Sequence, residues 1–135
     1  MKAIPTIQKF MTTTPHSINY EAPLEEAIKL MEKNKFRHLP VIKNGEAFGL
    51  LSDRDVKNLL TFAGTNPKTT KVGDVCGDEP YVTKPQAPIN DVAAIMAEKK
   101  YGSALVMDNG KLVGIFTLTD ACKALAEIVE QRFHN

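Results

Sequence analysis

Residues 15 to 60 return, without a gap, sixty-five positions later, and the returning residues fall where backbone geometry is most demanding. Pro15 meets Pro80, Ala22-Pro23 meets Ala87-Pro88, Met31 meets Met96, Lys35 meets Lys100 and Val41 meets Val106. Asn44-Gly45 meets Asn109-Gly110, Gly49 meets Gly114, Asp55 meets Asp120 and Leu60 meets Leu125. Eleven of forty-six positions are therefore identical, against roughly three expected by chance from average composition. The chain is an internal duplication, so whatever site one half carries should exist in two versions.

Each half is about sixty residues and marginal alone, whereas 135 residues with 43% hydrophobic content can bury a sizeable shared core. The expected organisation is repeat 1 over residues 1–62, a linker over 63–71 rich in Gly, Pro, Asn, Thr and Lys, and repeat 2 over 72–135. The two repeats should pack as one body with a ligand cleft between them.

Seventeen basic residues balance sixteen acidic ones, which gives no long-range field to hold nucleic acid or an anionic membrane. No apolar run has the length of a signal peptide or a membrane span, so a soluble cytoplasmic protein is expected. Cys76 and Cys122 have no metal-ligand spacing and read as small buried hydrophobes in a reducing compartment. His16, His38 and His134 lie on separate segments without metal-site spacing. No nucleophile is flanked by a base and an orienting acid, so no catalysis is expected.

Along each half, an extended segment (17–20, 82–84) leads to Ala-Pro-Leu-Glu-Glu or Ala-Pro-Ile-Asn-Asp, where proline suits a first helical turn and the acids suit the helix dipole. Leu24, Ala27, Ile28, Leu30 and Met31 are spaced for one helical face, as are Ile89, Val92, Ala93, Ile95 and Met96. Two short apolar runs then flank Asn-Gly, the strongest short-range hairpin signal, and each half turns into a second helix at Ser52 or Thr117. The unit reads strand, helix, strand, strand, helix, an α/β (α+β) fold. The last helix should run from Thr117 to about Arg132, with Leu125, Ile128, Val129 and Phe133 at helical spacing for core packing or a homodimer contact.

The chemistry is carried by Gly49-Leu50-Leu51-Ser52-Asp53-Arg54-Asp55 and by Gly114-Ile115-Phe116-Thr117-Leu118-Thr119-Asp120. The hydroxyl residue stands at a helix start, where unpaired N–H groups and the dipole favour an anion. The aspartate is an acceptor able to hold two adjacent hydroxyls. The same pattern is also a capping box, and for either motif alone capping is the default reading.

These motifs after Asn-Gly hairpins, with Arg37-His38-Leu39-Pro40-Val41 and with Phe10-Met11-Thr12 ahead of the Pro-Leu-Glu-Glu-Ala helix, resemble cystathionine-β-synthase (CBS) domains, two in tandem as a stand-alone CBS pair. The resemblance implies repeats packed sheet to sheet about a pseudo-twofold axis, with two clefts for adenosine-containing ligands. It implies ribose contacts from Asp55 and Asp120 and phosphate contacts from Ser52 and Thr117. It also implies adenine contacts around Ile18, Leu39, Pro40 and Val41, and around Val82, Leu105 and Val106.

Arg37, His38 and Arg54 form a cationic set able to neutralise phosphate, where the second half has Gly102, Ser103 and Thr119, of which Thr119 is expected to join Thr117 as a phosphate contact. The second half also has Leu105 in place of Pro40. A stronger site is therefore expected around Asp55 and a weaker or vacant one around Asp120. The expected function is a regulatory module, with no required cofactor, that senses AMP, ADP or ATP, with S-adenosylmethionine less favoured. It would relay occupancy to an unknown downstream protein, and the alternative is a structural interaction module without nucleotide.

Overall fold

The computed structural model describes residues 3–13, 16–77 and 80–134, so Pro15, the start of the duplicated span, lies outside the described residues. The chain packs into two compact units, His16–Pro80 and a unit formed by Met1–Pro15 with Tyr81–Asn135. The packing units are thus offset from the sequence repeats, because a short helical segment precedes each repeat and docks on the sheet of the other one.

In the His16–Pro80 unit, β1 (Ile18–Asn19) runs parallel to β2 (His38–Lys43), and β2 runs antiparallel to β3 (Glu46–Ser52). Helix α2 (Leu24–Asn34) connects β1 to β2, and α3 (Asp53–Thr61) follows β3. The other unit repeats this with β4 (Val82–Thr83), α5 (Ile89–Lys99), β5 (Ser103–Asp108), β6 (Lys111–Thr117) and α6 (Leu118–Phe133). The expected strand, helix, strand, strand, helix order is present in both units.

The hairpin turns have the geometry that Asn-Gly selects. Asn44 and Gly45 have φ of 51° and 80°, Asn109 and Gly110 have 52° and 76°, and positive φ at both central residues matches the right-handed twist of the flanking strands. Both hairpins carry a bulge at one position: Val41 pairs with Gly49 but Ile42 with Ala47, and Val106 pairs with Gly114 but Met107 with Leu112.

Leu24, Ala27 and Met31 of α2 are buried on the first sheet with Leu39, Val41 and Leu51, while Ile89, Val92 and Met96 of α5 are buried with Ala104, Val106 and Phe116. The proline of each Ala-Pro sits one position earlier than the sequence suggests. Pro23 and Pro88 are extended N-cap residues, with ψ of 146° and 136°, rather than members of the first turn. They offer no side-chain cap, so main-chain carbonyls cap the helices instead. The N–H groups of Leu24 and Glu25 donate to Thr70 (2.8 Å) and Pro67 (2.9 Å), and that of Ile89 donates to Pro5 (2.9 Å). The surface segment after α3 therefore also closes the start of α2.

The two docking segments are α1 (Ile7–Phe10) and α4 (Val72–Val75). Ile7 is fully buried in the core of the Tyr81–Asn135 unit, and Val72 is fully buried in the core of His16–Pro80. Their bonds match at the sixty-five-residue offset. Val72 N–H donates to Ala22 (2.8 Å) and Gly73 N–H to Tyr20 (2.7 Å), while Ile7 N–H donates to Ala87 (2.9 Å) and Gln8 N–H to Pro85 (3.0 Å).

These segments explain the motif glycines. A Cβ at Gly49 would lie 2.6 Å from Cys76 Sγ and 2.9 Å from the Gly77 carbonyl. One at Gly114 would lie 2.7 Å from Met11 Sδ and 3.0 Å from the Thr12 carbonyl. The cysteines are not equivalent: Cys76 is half-buried in this crossing, whereas Cys122 is exposed, which corrects the expectation that both are buried. Among the described residues, no helix is long and apolar enough to cross a membrane.

Candidate functional site

Both hydroxyl residues end a strand and begin a helix, because the strand-to-helix turn leaves the first helical N–H groups unpaired. Ser52 and Thr117 are extended N-caps, and each side-chain oxygen accepts from the N–H three residues on, Asp55 at 3.0 Å and Asp120 at 3.3 Å. Up to this point the two halves are alike. Beyond it they separate.

Asp120 is 6% exposed, the only buried polar or charged residue among those described. One carboxylate oxygen accepts from the Thr117 N–H (3.0 Å) and the Thr117 hydroxyl (3.1 Å), completing a capping box. The other accepts from the Thr12 hydroxyl at 3.0 Å, a contact spanning 108 positions of sequence. Both oxygens are engaged from within the chain.

Asp55 is exposed, and its carboxylate accepts no hydrogen bond from the described residues. It lines an open cavity of about 460 Å³ with Asn58, Leu59 and Phe62 of α3 and with Val75 and Gly77. Phe62 is 84% exposed, so an aromatic face stands at this mouth. Gly77 occupies the place that Thr12 holds in the other unit: its N–H donates to Leu50 (3.0 Å), as that of Thr12 donates to Ile115 (2.9 Å). Without a side chain it has no hydroxyl to offer Asp55. Sequence comparison of the halves missed this pair, since residues 6–12 and 71–77 share the offset but no identity.

The cationic set is dispersed in its properties. Arg37 and Arg54 are exposed and enter no ion pair among the described residues, and the Arg37 carbonyl accepts from the Asp53 N–H at 2.9 Å. His38 is half-buried at the start of β2, and desolvation holds its pKa below the ordinary 6.5 although Asp53 and Asp55 oppose this. Near neutral pH it is a hydrogen-bonding group more than a cation. Thr119 is exposed beside Leu118.

The residues expected around adenine are placed mostly inward. Ile18, Leu39 and Val41 belong to the core of the His16–Pro80 unit, and Val106 belongs to the other core. Pro40 and Leu105, at matching positions, are also buried, while Val82 is 43% exposed. Within the described residues no cluster of His, Cys, Asp and Glu could hold a metal ion.

The CBS domain family model matches residues 7–61 and 72–127, and so includes both docking segments. The CBS domain-containing protein YhcV of Bacillus subtilis is 27% identical over 96% of this chain and 99% of its own. A crystal structure of CBSX2, from Arabidopsis thaliana, in complex with AMP superposes with a TM-score of 0.75 at 28% identity, covering 93% of this chain and 98% of that one. The hexameric CBS-CP12 protein of bloom-forming cyanobacteria superposes with a TM-score of 0.82 at 25% identity, covering 96% and 77%. With two matched domains, each built on a three-stranded sheet and a Gly-apolar-apolar-hydroxyl-x-x-Asp turn, this chain belongs to the CBS domain family as a tandem pair.

Proposed function

We propose that this CBS pair is a regulatory module that binds an adenine nucleotide at Asp55 and relays its occupancy to a partner protein. The observation that carries this reading is the Asp55 carboxylate at the head of α3, which accepts no hydrogen bond among the described residues and lines an open cavity next to the Ser52 cap. A carboxylate with free lone pairs can take both hydroxyls of a ribose, and the start of α3 favours the attached phosphate. Arg37 and Arg54, exposed and free of ion pairs among the described residues, are assigned to the phosphate, with His38 and Ser52 as hydrogen-bond partners. Base contact is assigned to the strand segments around Ile18 and Pro40 of the same unit, and AMP in the related CBSX2 supports the ligand class. Binding shifts a conformational equilibrium by the difference in affinity between its two states, so no catalytic step is required.

Thermal unfolding with AMP, ADP, ATP and S-adenosylmethionine tests this. A true ligand at a hundredfold its Kd adds about 2.7 kcal/mol, and Asp55→Ala should weaken AMP at least tenfold in calorimetry, more than Asp120→Ala does. Equal losses, or no stabilisation by any of the four, contradict the reading.

A second reading, an interaction module that dimerises without nucleotide, is favoured by one feature of α6. Leu118, Leu125, Val129 and Phe133 are 57%, 65%, 46% and 73% exposed and recur at helical spacing, an apolar stripe suited to the same stripe on a second copy.

A further inference from the structure

We infer that Thr12 locks the second nucleotide motif and Gly77 leaves the first open, so that each chain takes up one nucleotide; this rests on the nucleotide reading of Asp55 and specifies what limits it to one half.

The two positions are equivalent in backbone and differ only in the side chain. Thr12 N–H donates to Ile115 at 2.9 Å and Gly77 N–H donates to Leu50 at 3.0 Å, and each follows a short helix docked on its sheet. The crossing thus delivers residue 12 to Asp120 and residue 77 to the neighbourhood of Asp55. At Asp120 the Thr12 hydroxyl takes the carboxylate oxygen that the capping box leaves over, at 3.0 Å. A ribose arriving there must compete with that hydroxyl on one oxygen and with the Thr117 N–H and hydroxyl on the other, for a buried carboxylate. At Asp55 neither oxygen has a donor among the described residues, and Gly77 itself lines the cavity. The selectivity between halves is therefore set by one hydroxyl far from either motif in sequence.

The exchange can be made in both directions. Gly77→Thr is sterically feasible, since among the described residues a Cβ there meets only the Leu50 carbonyl, at 3.3 Å, and needs a shift of a few tenths of an ångström. It should bring a hydroxyl to Asp55 and weaken AMP at least tenfold. Thr12→Gly should free Asp120 and add a second, weaker equivalent of AMP.

Calorimetric titration of wild type, Thr12→Gly, Thr12→Ala and Gly77→Thr with AMP decides the matter, with circular dichroism melts showing which variants are folded. Thr12→Ala stands in where Thr12→Gly does not fold. The expected stoichiometries are one for wild type and two for the Thr12 variants. Two equivalents in wild type, or a folded Thr12 variant that stays at one, overturns the lock and leaves the nucleotide reading standing. An unchanged affinity in folded Gly77→Thr also overturns it. No heat with any of the four proteins overturns both.

Discussion

A Cβ on Gly49 would come within 2.6 Å of Cys76 Sγ, at the place where the segment after α4 crosses β3. The glycine is required by a neighbour's approach and not by its own torsion angles, since Gly49 is absent from the positive-φ residues. Gly49→Ala and Gly114→Ala should each cost about 1–3 kcal/mol, the range of an overpacked core, read by urea unfolding. Adding Cys76→Ala should restore only part of the Gly49→Ala loss. The Gly77 carbonyl, 2.9 Å from the same point, remains in the way.

The two motif aspartates should differ in stability as they do in hydrogen bonding. Asp120→Ala leaves the Thr12 hydroxyl and the Thr117 N–H without their acceptor in a buried site, a loss of about 1–3 kcal/mol. Asp55→Ala removes only a first-turn charge on an exposed helix start, about 0.3–1 kcal/mol. Chemical denaturation of the two variants checks the order, and the reverse order would contradict the capping geometry.

His38 sets a pH dependence. Its folded pKa lies below 6.5 because burial disfavours the charged form, so between the two values the unfolded chain binds more protons than the folded one. Stability therefore rises with pH across that window and is lost as pH falls from 6.5 towards the folded pKa. In His38→Gln the acid-side slope near pH 6 should flatten in urea titrations taken at a series of pH values.

Much of this architecture was legible in the chain, and for local reasons. Asn44-Gly45 and Asn109-Gly110 specify positive φ at both central turn residues, and that requirement is written in the residues themselves. The helical faces of α2 and α5 were legible because eleven residues give three turns of periodicity. Helices α1 and α4 were not, since four residues show no period and their role depends on a sheet distant in sequence. The same distance hid the Thr12–Asp120 bond, and with it the reason that the equivalent aspartates are hydrogen-bonded differently.

Lys35 and Lys100, identical in the repeat, turned out to be αL helix ends with φ of 57° and 59°. This conformation costs a residue with a Cβ about 1–2 kcal/mol, and glycine is its usual occupant. Lys35→Gly should raise stability by about 0.5–1 kcal/mol once glycine's greater unfolded-state entropy is deducted. A thermal melt showing no gain or a loss would contradict the strained end.

The stripe on α6 gives a test of association. Leu125→Glu together with Val129→Glu places charge on its two central positions, both exposed and outside the cores. Sedimentation equilibrium should show the wild type as a dimer and the double variant as a monomer with unchanged helicity. A monomeric wild type removes the stripe as a homodimer contact.

The exchange of α1 and α4 means that the unit copied by the duplication is not the unit that packs. A fragment ending at residue 62 carries a vacant groove over Gly49 and an orphaned Ile7, whereas a fragment over 16–80 brings its own Val72 to fill the first. In chain order, the residues that fill the first groove follow its sheet, and those that fill the second precede theirs.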